Sequence, residues 1–159
     1  MVTTPSDLPA LAALDRKGIP YRIFKHANPV KSLEQAASER GQAIGQVVRS
    51  ILFRLAKDEF CLALVAGSAQ INWRILRKHF NQSRLTMATP EEVLQVTGYV
   101  PGAVSPFGLP APIRIVADPG VFEPDEISLG SGRRGLAIMI KPSDLKGALG
   151  EIETLDLIE

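Results

Sequence analysis

Two apolar runs flank three polar residues near the middle of this 159-residue chain. Residues 47–55 contain Val47, Val48, Ile51, Leu52, Phe53 and Leu55; residues 60–66 contain Phe60, Cys61, Leu62, Leu64 and Val65. β-Branched and aromatic side chains at this density, bounded by polar residues, mark strands. Lys57, Asp58 and Glu59 leave room only for a tight turn, so the two runs predict a hairpin. A central hairpin breaks any strict alternation of strand and helix. It favours an α+β fold with a mixed or antiparallel sheet over a doubly wound one.

The rest of the chain supplies helices and short strands around that hairpin. Leu8, Leu11 and Leu14 lie on one stripe of a helix over residues 7–17, which Gly18 stops. Residues 21–25 alternate as a short strand. Ser32 to Gln35 reads as a capping box for a helix that ends near Gly41. Asn72 caps a basic helix that runs through Phe80, with Ile75, Leu76 and Phe80 or His79 turned inward. Thr89, Pro90 and Glu92 open another helix, to about Thr97. Residues 113–117 and 136–140 read as strands, and Pro142 begins a last helix. No repeat or long linker divides the chain, so residues 1–159 are expected to form a single domain.

Composition narrows the class. No apolar run approaches the ~20 residues of a membrane span. The N-terminus lacks a basic region ahead of an apolar core, so it does not read as a secretory signal. Cys61 is the only cysteine, which excludes an intrachain disulfide and a cysteine metal cluster. The cytoplasm is the expected compartment. The net charge of +1 hides an asymmetry, because residues 1–146 carry 18 basic and 13 acidic side chains, a net +5. No acid lies between Glu59 and Glu91, a tract that holds Arg74, Arg77, Lys78 and Arg84. Such a tract suits a polyanion, and equally a solvated helix face.

Most familiar catalytic devices are missing. There is no phosphate loop and no dinucleotide fingerprint. His26 and His79 have no neighbour at metal-ligand spacing and read as surface or capping residues. Cys61 reads as a buried, inert thiol, Trp73 as packing, and Ser105 lies in no nucleophile elbow. Two loops and one charge remain. Residues 98–108 contain Gly98, Gly102, Gly108, Pro101 and Pro106, together with Tyr99, Val100, Val104 and Phe107. That mixture describes a stiff, partly buried loop that offers main-chain N–H groups, or alternatively a structural crossover. Gly130, Ser131, Gly132, Arg133, Arg134 and Gly135 form a second loop, basic and without bulk. Arg49 lies within an apolar strand, where its head needs an anion or water; an edge-strand arginine reaching solvent is the plain alternative.

In order and spacing, Val48 to Phe53, Thr97 to Pro106 and Gly130 to Leu136 resemble the YbaK/prolyl-tRNA-synthetase-associated editing domain, from about residue 20 to residue 148. The resemblance implies a mixed, curved, barrel-like sheet with surrounding helices. It implies hydrolysis of wrongly charged aminoacyl-tRNA without a metal, a cofactor or a protein nucleophile. The loop from Gly102 through Ala103, Val104 and Ser105 to Pro106 would hold the aminoacyl group near main-chain amides, and the family's functional lysine falls on Arg49. Phe24, Ser50, Gly130, Ser131, Gly132 and Ala137 would meet the substrate. Arg74, Arg77, Lys78, Arg84, Arg133 and Arg134 would hold the acceptor end by its phosphates. The implied partner is aminoacyl-tRNA, with a synthetase or elongation factor as a further candidate; DNA and membrane are not implied.

The chain departs from the branch that clears cysteine from proline tRNA. An acidic residue of that branch falls on Ala137, an aromatic hydroxyl on Phe24 and a serine on Gly130. These departures imply a less polar pocket and a different or broader amino-acid preference. Three readings follow: a freestanding deacylase acting in trans, a non-catalytic relative that binds aminoacyl-tRNA, a nucleotide or a protein, and an unrelated small-molecule enzyme.

Overall fold

The computed structural model describes residues 8–158. Helix α1 (Pro9–Arg16) buries Ala10, Leu11 and Leu14, as its stripe requires. The expected start at Asp7 lies outside the described residues. Strand β1 (Arg22–Lys25) follows, and then α2 (Leu33–Arg40). The Ser32 hydroxyl accepts from Gln35 N–H, but the Gln35 side chain returns to Lys31 N–H, so only half of the expected box closes on Ser32.

The central hairpin forms as read. Strands β2 (Val48–Ala56) and β3 (Glu59–Ala66) pair antiparallel from Val48↔Ala66 to Ala56↔Glu59, with an irregularity between Arg54 and Ala56. Asp58 takes the turn at φ 60°, a conformation that aspartate tolerates better than most residues. Beyond them come α3 (Trp73–His79), the two-residue β4 (Thr86–Met87), α4 (Pro90–Thr97) and β5 (Arg114–Ala117). Next are β6 (Ile127–Gly130), β7 (Leu136–Ile140), α5 (Pro142–Leu149) and the two-residue β8 (Glu153–Thr154). The full capping box on α4 is present: the Thr89 hydroxyl accepts from Glu92 N–H and Glu92 accepts from Thr89 N–H.

These strands make a five-stranded sheet, ordered β4-β2-β3-β5-β8, and a three-stranded antiparallel sheet, ordered β1-β7-β6. The larger sheet is mixed, because β5 runs parallel to β3 and β8 parallel to β5. A bridge between Val47 and Ser128 joins the two sheets at one corner. The α+β class and mixed sheet follow expectation; the barrel-like curvature takes the form of two joined sheets rather than a closed ring of the described strands. β4, β6 and β8 escaped the sequence reading. β4 and β8 are too short to show a period, and β6 includes Gly130, which had been read as loop.

Alternation on the hairpin divides the interior. Val48, Leu52, Leu62 and Leu64 enter one core with Tyr99, Val104, Phe107, Leu129 and Ile138. Phe53, Cys61, Ala63 and Val65 enter another with Leu76 and Phe80 of the α3 region. Trp73 packs edge-on against Phe53, ring centroids 5.2 Å apart, as packing rather than as an exposed stacking surface. Cys61 is fully buried, and burial pushes its thiol up to about 12.

The acidic C-terminal segment docks on the sheet edge. Leu157 is buried, and its N–H donates to the Asp118 carboxylate at 2.9 Å, whose second oxygen accepts from Gly120 N–H. Glu153 accepts from Arg114 at 2.6 Å and meets His79 at 2.8 Å. The Arg114 hydrogen bond, with His79 adding, holds the Glu153 carboxyl below its ordinary value. A carboxylate depressed in the folded state adds stability above its unfolded pKa of ~4.3, which is lost as pH falls through the folded value. Urea unfolding should therefore show Glu153→Gln less stable than wild type near roughly pH 7, with the gap narrowing toward roughly pH 3. A gap that persists unchanged at the acid end would contradict this assignment.

Candidate functional site

Val48 and Ser50 lie on β2 where no strand of the larger sheet covers its outer edge, since β4 pairs only with Phe53 and Arg54. Facing that edge are α2, the end of β6 and both glycine loops, and between them lies an open cleft of about 880 Å³. Its wall includes His26, Arg40, Arg49, Ser50, Gly102, Ala103, Val104, Gly130, Arg133 and Arg134. Lys31 adds another cation, and no Asp or Glu lines the cleft among the described residues. The electrostatic character is that of a site for an anion-bearing ligand.

The two glycine loops are built on each other. Gly132 N–H donates to the Ala103 carbonyl at 2.8 Å, and Arg134 donates to the Pro101 carbonyl at 3.0 Å. A Cβ on Gly130 would stand 2.3 Å from the Val104 carbonyl oxygen, and one on Gly132, whose φ is +96°, would stand 2.6 Å from the Tyr99 ring. Tyr99 is itself fixed, because its buried hydroxyl donates to the Phe107 carbonyl at 2.5 Å and burial raises its pKa to about 12. Ala103 N–H donates to Val100, while the N–H groups of Gly102 and Val104 meet no acceptor among the described residues. Two unengaged main-chain donors on the wall of a cleft leave hydrogen-bonding capacity for a negatively charged oxygen.

The other expected residues fall into distinct places. Ser105 and Pro106 are buried behind the cleft wall, and the Ser105 hydroxyl accepts from Phe107 N–H at 3.3 Å. Ser131 is buried too; its hydroxyl donates to the Leu136 carbonyl at 2.6 Å and braces the second loop. Gly132 lies under the Tyr99 ring rather than on the wall. Phe24, Ala137 and Gly130 share one row across the smaller sheet, through the pairs Phe24↔Ala137 and Gly130↔Ala137. Of that row only Gly130 lines the cleft, and its close approach to Val104 leaves no room there for a side chain. Ser50 lies on the wall with its hydroxyl buried and without a hydrogen-bond partner.

The structure adds detail to three expectations. Arg49 meets main-chain carbonyls and no anionic side chain among the described residues, while staying half-buried on the uncovered edge of β2: its Nε donates to the Gly67 carbonyl at 2.7 Å, and an Nη2 hydrogen bond reaches the Ala69 carbonyl. Carbonyl dipoles supply what an anion was expected to supply, and partial burial lowers the guanidinium's pKa. His26 is no surface residue. It is buried, with Nδ1 2.6 Å from the Glu39 carboxylate and Nε2 accepting from Arg40 Nε at 3.1 Å. Finally, the basic tract is not brought to the cleft. Arg74, Arg77 and Lys78 ride on α3, which packs on the opposite face of the hairpin from Val48 and Leu52, and Arg84 follows it. Sequence reading missed Arg40 and His26, because their signal is proximity across β1, α2 and β6, which no local spacing encodes.

Residues 27–148 match the family model of the aminoacyl-tRNA editing domain. The chain belongs to that family. It is 30% identical over 138 residues to the multifunctional Ser/Thr-tRNA deacylase ProXp-y of Escherichia coli K12, covering 84% of this chain and 82% of that protein. It is 31% identical over 100 residues to the proline–tRNA ligase of Thermosipho melanesiensis, covering 63% of this chain but 17% of the ligase. The crystal structure of a candidate trans-editing enzyme for prolyl tRNA synthetase superposes with a TM-score of 0.88 at 24% identity, covering 100% of this chain and 99% of that one. That likeness bears on the fold alone.

The Gly130–Val104 contact gives a direct test of how the editing-domain site is assembled. Gly130→Ala should force the Val104 carbonyl to move and cost about 1–3 kcal/mol, the usual penalty for overpacking. Chemical denaturation measures the loss, and amide shift changes should spread to Gly102 and Ala103. A neutral effect on both would refute the packing described.

Proposed function

We propose that the protein is an aminoacyl-tRNA deacylase that hydrolyses the ester of mischarged tRNA. The observation that carries the reading is the pair of unengaged N–H groups, Gly102 and Val104, on the wall of a cleft lined by cations and no carboxylate. In this reading the ester carbonyl is directed at those donors. Water attacks the carbonyl carbon, the negative charge on the carbonyl oxygen is met by the N–H groups, and the bond to the ribose oxygen then breaks. The water's proton ends on the released ribose hydroxyl, shuttled by the substrate's neighbouring hydroxyl. The chain contributes orientation and charge stabilisation, and one such donor is worth roughly 3–4 kcal/mol in related chemistry. Aminoacyl-tRNA is made and used in the cytoplasm, where we place the activity.

The preferred amino acid is small and need not be cysteine. Gly130, the one member of the row with Phe24 and Ala137 that lines the cleft, offers no side chain, and the Ser50 hydroxyl is a buried side-chain group on the wall without a partner. A small shift of the wall that uncovers this hydroxyl would let a seryl or threonyl side chain partner it, in keeping with the Ser/Thr-tRNA deacylase among the relatives. Amino-acid release from a panel of Ala-, Ser-, Thr- and Cys-charged tRNAs is expected to exceed spontaneous hydrolysis, with cysteine the poorest. Ser50→Ala should reduce the preference for seryl over alanyl ester by about 5- to 10-fold, the worth of one neutral hydrogen bond. Cysteinyl ester cleaved as well as the others would remove the proposed preference, and a flat panel would remove the deacylase.

One observation favours the non-catalytic reading: the Arg49 guanidinium is engaged with the Gly67 and Ala69 carbonyls. In a deacylase, Arg49→Ala should lower kcat/KM by about 10- to 100-fold through the loosened wall, and Arg49→Lys should retain most of it. A binding module has no turnover for either substitution to alter, so the same release assay separates the two.

A further inference from the structure

Arg40 is the last residue of α2, and its guanidinium enters the cleft wall partly buried. Its Nε donates to His26 Nε2 at 3.1 Å, and its Nη1 donates to the Ser128 hydroxyl at 2.9 Å. Because Nε2 accepts, the His26 proton resides on Nδ1 and faces Glu39, 2.6 Å away. The imidazole is therefore a neutral acceptor, and Ser128 in turn donates to Gln42 at 2.7 Å. Glu39 stands behind the imidazole and is outside the cleft lining. Arg40 is thus oriented by neutral groups, carries its charge into a cleft without carboxylates, and has an Nη2 with no acceptor among the described residues. Arg134 and Arg49, by contrast, are engaged with main-chain carbonyls.

The geometry points to a phosphate subsite at Arg40, which grips the phosphodiester that joins the terminal nucleoside of the acceptor end to the rest of the tRNA. This rests on the deacylase reading for the identity of the substrate, though not for the existence of the subsite. A fixed guanidinium with a free N–H edge matches phosphate oxygens, while a carboxylate at the same point would be met by the same fork. The phosphate is preferred because an ester-linked amino acid has no free carboxylate to offer. His26 and Ser128 are positioning residues that hold the guanidinium's orientation.

The test uses adenosine 5′-monophosphate and adenosine as probes, titrated into wild type, Arg40→Gln and Arg40→Lys and followed by calorimetry or amide shifts. Wild type should bind the monophosphate about 10- to 100-fold more tightly than adenosine. Arg40→Gln should abolish that difference, and Arg40→Lys should restore part of it. Equal binding of the two probes by wild type, or a difference that survives in Arg40→Gln, would overturn the subsite. Turnover supplies the second arm. Arg40→Gln should lower kcat/KM for aminoacyl-tRNA while sparing aminoacyl-adenosine, which lacks the phosphate. Equal losses on both substrates would make Arg40 a structural brace, and loss on neither would mean that the subsite does not serve the tRNA. Absence of hydrolysis by wild type would instead refute the deacylase, leaving the monophosphate titration to decide the subsite.

Discussion

The close approach of Gly130 to the Val104 carbonyl, with Gly132 under the Tyr99 ring, is the contact on which the site depends. The first loop has no regular structure to hold it, and the second is the turn between β6, which Gly130 ends, and β7. Each is held by the other, through Gly132 N–H to Ala103 and Arg134 to Pro101. Side chains at either glycine would separate the loops and release the main-chain donors from their fixed direction. Catalysis by positioned amides needs such rigidity, because a donor that must reorganise as charge develops contributes little.

The hairpin gives that pair of loops a platform. Its two faces serve different ends: the face carrying Val48 and Leu52 meets the first loop through Tyr99, Val104 and Phe107, and the face carrying Phe53 and Val65 is sealed by the α3 region. The short pairing with β4 leaves the outer edge of β2 uncovered beside Ser50. The C-terminal segment completes the far edge of the same sheet, where Asp118 holds Leu157 and Glu153 meets Arg114 and His79, so residues remote from the cleft sustain its backing.

Charge is distributed by the same division. The cleft carries Lys31, Arg40, Arg49, Arg133 and Arg134, whereas the acid-free tract of Arg74, Arg77, Lys78 and Arg84 belongs to the opposite side of the hairpin. A basic run in sequence and a basic cleft in space are therefore separate features of this molecule. Within the cleft the cations also differ in their partners, because the Arg49 and Arg134 guanidiniums satisfy backbone carbonyls whereas Arg40 is held by the side chains of His26 and Ser128.

The sequence by itself determined the hairpin, the helix caps at Asn72 and Thr89, the buried Cys61, the α+β class and the positions of the two glycine loops. Each rests on local chemistry: side-chain period, turn residues, cap geometry, or an arrangement of glycine and proline. Tertiary structure alone decided that Ser105, Ser131 and Gly132 are braces, that Arg49 turns to Gly67 and Ala69, and that His26 orients Arg40. It also decided that β4, β6 and β8 exist, since two- and four-residue strands are stabilised by neighbours rather than by propensity. The physical reason is common to all of them. Partners such as Arg40 and Ser128 stand 88 residues apart in the chain, and the direction of a polar group is fixed by whichever acceptor the packed fold brings within reach.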